Sequence, residues 1–170
     1  SWRGLVYSAG APSTYLLQSA RRYGTVEVDQ WFWSLFGSGG SSRDVKLPEP
    51  SDVSAYRASV PRDFRFTVKA PNSLTLTHLY RKDKSEPLQP NPHFLSPALL
   101  REFLSRLGPL HKLLGPIMFQ FGYLNQEMMS DPDRFQKLFA ALARRLPSGY
   151  RFGLEVRNAD YLNDSYYAFL

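Results

Sequence analysis

The chain has 170 residues, a net charge of +6, 43% apolar residues and no cysteine. That length allows one domain, the apolar content excludes global disorder, and no apolar run approaches the roughly 18 residues of a membrane span. Disulfides, thiolate zinc sites and cysteine nucleophiles are excluded, and with no secretory leader pattern in view we expect a cytoplasmic protein.

Ser13 caps a predicted helix over residues 13–23, with Leu16, Leu17, Ala20 and Tyr23 on one face and Gly24 as its stop. Thr25 to Trp31 reads as a strand. Phe36 to Pro50, rich in glycine and serine, reads as a loop. Ser51 then caps a short helix through Val53, Tyr56 and Val60, closed by Pro61. Phe64 to Ala70 is the second strand. Arg81 to Pro92 is irregular, because Pro87, Pro90 and Pro92 forbid a helix. Ser96 and Pro97 form a cap with proline at the first helical position, ahead of Leu99, Leu100, Phe103, Leu104 and Leu107 at helical spacing. Pro116 to Phe121 is the third strand. Asp131 and Pro132 repeat the start signal, and Phe135, Leu138, Phe139, Leu142 and Leu146 make the stripe of the next helix. Tyr150 to Val156 is the fourth strand.

Strands alternating with helices over short connections predict an α/β fold with a parallel sheet. Residues two apart on a strand share a face. Each strand then has an apolar face and a polar one, the polar set being Glu27 and Asp29, Lys69, Gln120, and Glu155 with Arg157. Unpartnered burial of these charges would cost several kcal/mol each, on the order of a lost buried ion pair. They must pair, meet water or meet a ligand. Sites in parallel α/β folds lie at strand C-termini, so these groups form a candidate site. The alternative is that Glu27–Lys69 and Glu155–Arg157 are structural ion pairs.

His78, in the segment after the second strand, is the histidine nearest this set, whereas His93 and His111 have no companions. No zinc spacing exists, and no cofactor is indicated; the one metal reading is a magnesium or manganese site on Glu27, Asp29 and Glu155. The aromatic run Trp31, Phe32 and Trp33 could stack on a ring or belong to the core. Residues 1–85 carry 12 Lys+Arg against 7 Asp+Glu, and residues 86–170 carry 9 against 8. Binding of nucleic acid through the basic first half is therefore a third reading.

The same residues resemble the YecE-like proteins, also called domain of unknown function 72. Trp2-Arg3-Gly4 looks like that family's W-x-G segment, Tyr23 to Trp33 like F-x-T-V-E-I-N-x-x-F-Y, and Val60 to Ala70 like V-P-x-x-F-x-F-x-x-K, with Thr77-His78 at its T-H. Leu114 to Phe121 resembles L-G-x-x-L-x-Q-L-P-P, and Phe152 to Arg157 resembles x-A-x-E-x-R. The resemblance implies a TIM-barrel-like fold presenting Glu27, Lys69, His78, Gln120, Glu155 and Arg157 at its strand ends, and no established activity. A full barrel takes about 250 residues, so a partial barrel domain over 1–170 is expected. Asp29, Trp33, Phe121, Gly122, Tyr123 and Tyr161 depart from the family pattern at the site.

Two readings of the whole follow. In one, Lys69 and Arg157 hold an anionic small molecule or nucleic acid, with Gln120, Asp29 and Trp33 lining the pocket. Glu27 or Glu155 is then the general base and His78 the proton donor or clamp. In the other, the protein is a non-catalytic binding or assembly module whose strand-end charges are structural. Neither fixes an oligomeric state.

Overall fold

Helix start signals and strand periodicity are realised in chain order in the computed structural model, which describes residues 15–35, 45–81 and 83–170. The order is α1 (Tyr15–Ala20), β1 (Thr25–Val28), α2 (Pro50–Ala58), β2 (Arg65–Lys69), α3 (Asn72–Thr75), α4 (Pro97–Arg106), β3 (Leu114–Phe121), α5 (Pro132–Ala143), β4 (Arg151–Val156) and α6 (Asp164–Phe169). All strand pairings are parallel, and the strands are neighbours in sequence order. This is the predicted α/β class. No described helix is long and apolar enough to cross a membrane.

The two faces of the sheet differ as the alternation predicts. Val28, Phe66, Val68, Ile117, Phe119 and Phe121 are buried on one face. Val53, Leu100, Phe103, Phe135, Phe139 and Leu142 from the covering helices join them in one core. On the other face Glu27 is exposed, while Thr67, Lys69, Met118, Gln120 and Glu155 are half-buried.

β3 starts two residues earlier than predicted and contains an irregularity. Phe66 pairs with Leu114 but Val68 with Ile117, so β3 carries an extra residue there. A proline cannot donate to the ladder and is tolerated inside a sheet at such a site, which Pro116 occupies. Beside it, a Cβ on Gly115 would lie 3.2 Å from the Phe66 carbonyl oxygen, so any larger residue would push the two strands apart by a few tenths of an ångström.

Several boundaries move for local reasons. β1 ends at Val28, not Trp31, because the Phe32 N–H donates to the Asp29 carbonyl and closes a turn. α2 begins at Pro50 with an extended Glu49 ahead of it, the conformation a following proline imposes, so Ser51 is a helical residue and not the cap. α1 buries Ser19 and leaves Tyr23 beyond its end, 46% exposed. Ser96 and Asp131 cap as expected, accepting from the Leu99 and Arg134 N–H groups at 3.3 and 2.7 Å. The Ser13 cap, Trp2-Arg3-Gly4 and loop residues 36–44 lie outside the described residues.

Candidate functional site

Lys69, the last residue of β2, organises one half of the polar strand ends. Its Nζ lies 2.9 Å from Asp29 Oδ1 and 3.3 Å from Glu27 Oε1. The register explains this, since Glu27 faces Thr67 and the chain then carries Asp29 to the level of Lys69. The lysine side chain is 16% exposed, and both carboxylates are about half exposed. The hydrogen bond to Asp29 raises the Lys69 pKa above the ordinary lysine value; burial opposes the shift and the bond to Glu27 adds to it. The ammonium also sits 5.9 Å over the Phe32 ring.

A raised folded-state pKa contributes stability that is complete below the unfolded lysine value of 10.5 and is lost as pH rises through the folded value. Denaturant melts of the wild type should therefore weaken more steeply above that pH than melts of Lys69→Met. Parallel alkaline profiles would contradict this assignment.

The other half lies on β3 and β4. Gln120 opposes Glu155 in register, and its Nε2 donates to Glu155 Oε2 at 2.7 Å. Arg157, just past the end of β4, is 60% exposed, with its Nε 3.6 Å from Glu155 Oε1. That contact is loose for an ion pair. Met118 lies between the halves, opposite Lys69 on one side and Gly153 on the other. A Cβ on Gly153 would come within 2.8 Å of Met118 Cε, so the thioether lies across the glycine between the two polar groups.

Two buried asparagines that the sequence reading passed over fasten the loops above these groups. Asn72 Oδ1 accepts from the N–H groups of Ser34 and Leu35, at 3.0 and 2.8 Å, and from the Ser34 hydroxyl at 2.8 Å. Its Nδ2 donates to the Leu35 carbonyl at 3.1 Å. Asn158 Oδ1 accepts from the Leu124 N–H and its Nδ2 donates to the Leu124 carbonyl, both at 2.8 Å. The loop after β1 is thus tied to that after β2, and the loop after β3 to that after β4. Asparagine two or three residues beyond a strand was the signal available, since its amide can replace two backbone partners at once.

Of the predicted residues, the fold joins Glu27, Asp29 and Lys69 in one group and Gln120, Glu155 and Arg157 in a second. His78 Nδ1 lies 2.9 Å from Thr77 Oγ1, and the residue bridges to Pro90. No contact among the described residues joins it to either group. Trp31 is 5% exposed against Tyr56, while Trp33 is 48% exposed and meets Phe32 edge-on at 5.1 Å. Trp31 is therefore core, and Trp33 continues the Lys69–Phe32 contact to the surface. Among the described residues no three His, Asp or Glu side chains are gathered as metal ligands. Glu27 and Asp29 meet on Lys69, and Glu155 turns instead to Gln120 and Arg157.

The sequence model of one family, described as "Protein of unknown function DUF72", matches residues 1–170. Two crystal structures of a DUF72 family protein from Enterococcus faecalis resemble this chain at 18% identity, with TM-scores of 0.55 and 0.51. They cover 90% and 91% of this chain but 47% and 52% of their own, so the chain spans about half their length. At that identity the likeness concerns the fold. No curated protein matches the chain.

Proposed function

The chain belongs to the DUF72 family, and from that premise we propose that its strand-end pocket binds a small hydroxylated molecule carrying a phosphate or carboxylate. The observation that carries this reading is the division of labour between the two cations. Lys69 is enclosed by two carboxylates, whereas Arg157 is exposed and only loosely held by Glu155. The anionic group of a ligand therefore falls to Arg157, whose planar fork suits phosphate and carboxylate. Exposed oxygens of Glu27, Asp29 and Glu155 are left to accept ligand hydroxyls, with Gln120 holding Glu155 in place.

Glu155 is the general base in this scheme, because its partners are a neutral amide and a distant guanidinium. The proton donor is His78, whose segment follows β2 at the same end of the sheet. Trp33 offers an exposed ring beside Phe32 for an apolar face of the ligand. Residues 1–170 act here as one barrel-type domain, with its site where parallel α/β folds carry theirs.

Calorimetric titration with ribose 5-phosphate tests the scheme. The wild type should bind saturably, and Arg157→Ala should bind at least about tenfold more weakly with an unchanged melt, as for loss of one charge-assisted contact. No binding, or equal affinity in the variant, would leave the second reading. That reading treats the charges as structural, and the enclosure of Lys69 by Asp29 and Glu27 is the observation that favours it.

A further inference from the structure

The positive charge of this chain is sorted by the ends of the sheet and not by the halves of the sequence. Because every strand runs the same way, all connections entering the strands lie at one end, opposite the pocket. Arg21 and Arg22 precede β1, and Arg62 and Arg65 stand at the start of β2. Lys112 precedes β3, and Arg144, Arg145 and Arg151 lead into β4. All of these side chains are exposed. Among the described residues the carboxylates at this end are Asp63 and Glu102, and Glu102 is engaged by Arg106 at 3.6 Å.

Aromatic rings are interleaved with the cations. Tyr23, between Arg22 and β1, is 46% exposed. His111 and Tyr150, from the connections into β3 and β4, meet edge-on with centroids 4.9 Å apart. Gly149, at φ +84°, makes the turn that brings Tyr150 to this position; its own Cβ site would lie 4.0 Å from His111 Cε1. Strands about 4.8 Å apart put the four entry points across about 15 Å, room for several successive phosphates.

We infer that this N-terminal face of the sheet is a docking surface for single-stranded nucleic acid, separate from the pocket at the other end. The arginines grip phosphates, and Tyr23 with the exposed His111 ring, held edge-on by Tyr150 from the core, offers faces for bases. Arginine-dominated charge with polar aromatic rings favours this partner over an anionic lipid surface, which draws on lysine-rich segments with inserted apolar side chains.

Fluorescence anisotropy of the full chain with a fluorescein-labelled 20-nucleotide oligo(dT) decides it. We expect binding at 50 mM KCl that weakens about 20-fold at 200 mM, as for about three phosphate contacts on a single strand. Arg21→Glu with Arg22→Glu, and separately Arg144→Glu with Arg145→Glu, should each weaken it at least about tenfold at unchanged melting temperature. Arg157→Ala, in the pocket, should leave it unchanged. Absence of binding at 50 mM KCl overturns the inference, as does equal loss in Arg157→Ala. Tighter binding to phosphatidylserine vesicles or to duplex DNA than to the single strand also overturns it. Ribose 5-phosphate affinity is read separately, so failure of this surface and failure of the pocket are distinguishable.

Discussion

Asn72→Ala is expected to destabilise the chain by about 3–5 kcal/mol, because several buried groups lose their partner at once. The fully buried amide serves the Ser34 and Leu35 N–H groups, the Ser34 hydroxyl and the Leu35 carbonyl. Alanine leaves the two N–H groups and the Leu35 carbonyl without that partner, while the Ser34 hydroxyl keeps its bond to Ser73 Oγ at 2.8 Å. The Asn72 backbone N–H, which the substitution leaves in place, donates separately to the Phe32 carbonyl at 2.7 Å. Asn158→Ala, which frees only the Leu124 N–H and carbonyl, should cost about half as much. Urea denaturation of the two variants measures both. A loss under about 1 kcal/mol for Asn72→Ala would show that the clasp is not a structural tie.

Phe121→Ala should cost about 3–5 kcal/mol, as for other buried Phe truncations. Phe121 is fully buried, with the rings of Phe135, Phe139 and Phe94 at 5.0, 5.9 and 6.4 Å. It follows Gln120 on β3, so the cavity would open directly behind the residue that holds Glu155. Phe121→Leu, the residue type of the family's pattern at this position, keeps most of the apolar volume and loses the ring contacts, about 1–2 kcal/mol. Thermal melts of the pair should rank them in that order. Equal melts would mean that the neighbouring aromatic rings collapse into the space.

The parallel α/β order was legible because four strands and their covering helices announce themselves by period. The Ser96–Pro97 and Asp131–Pro132 starts were legible from capping chemistry alone. The polar strand-end groups could be read from alternation, since Lys69 and Glu155 sit on strands whose other face is apolar throughout, Phe66 and Val68 on β2 and Phe152, Leu154 and Val156 on β4. The sharing of Lys69 between Asp29 and Glu27 depends on the β1–β2 register, which sequence does not fix. Asn72 and Asn158 were overlooked because a buried asparagine is defined by the loop it closes, and those loops have no period. The 12-to-7 excess of cations over acids in residues 1–85 suggested a basic first half. The fold instead gathers Lys112, Arg144, Arg145 and Arg151 from the second half onto the same end of the sheet.

We propose that a ligand lies over Met118 on the polar face at the strand C-termini, with Arg157 as its anion contact. A titration of ribose 5-phosphate into protein carrying 13C-methyl methionine, followed by the Met118 methyl resonance, tests it most directly. The expected result is a saturable shift of Met118 in the wild type that is lost in Arg157→Ala. A Met118 resonance that stays fixed at all ligand concentrations, with the fold intact, would contradict it.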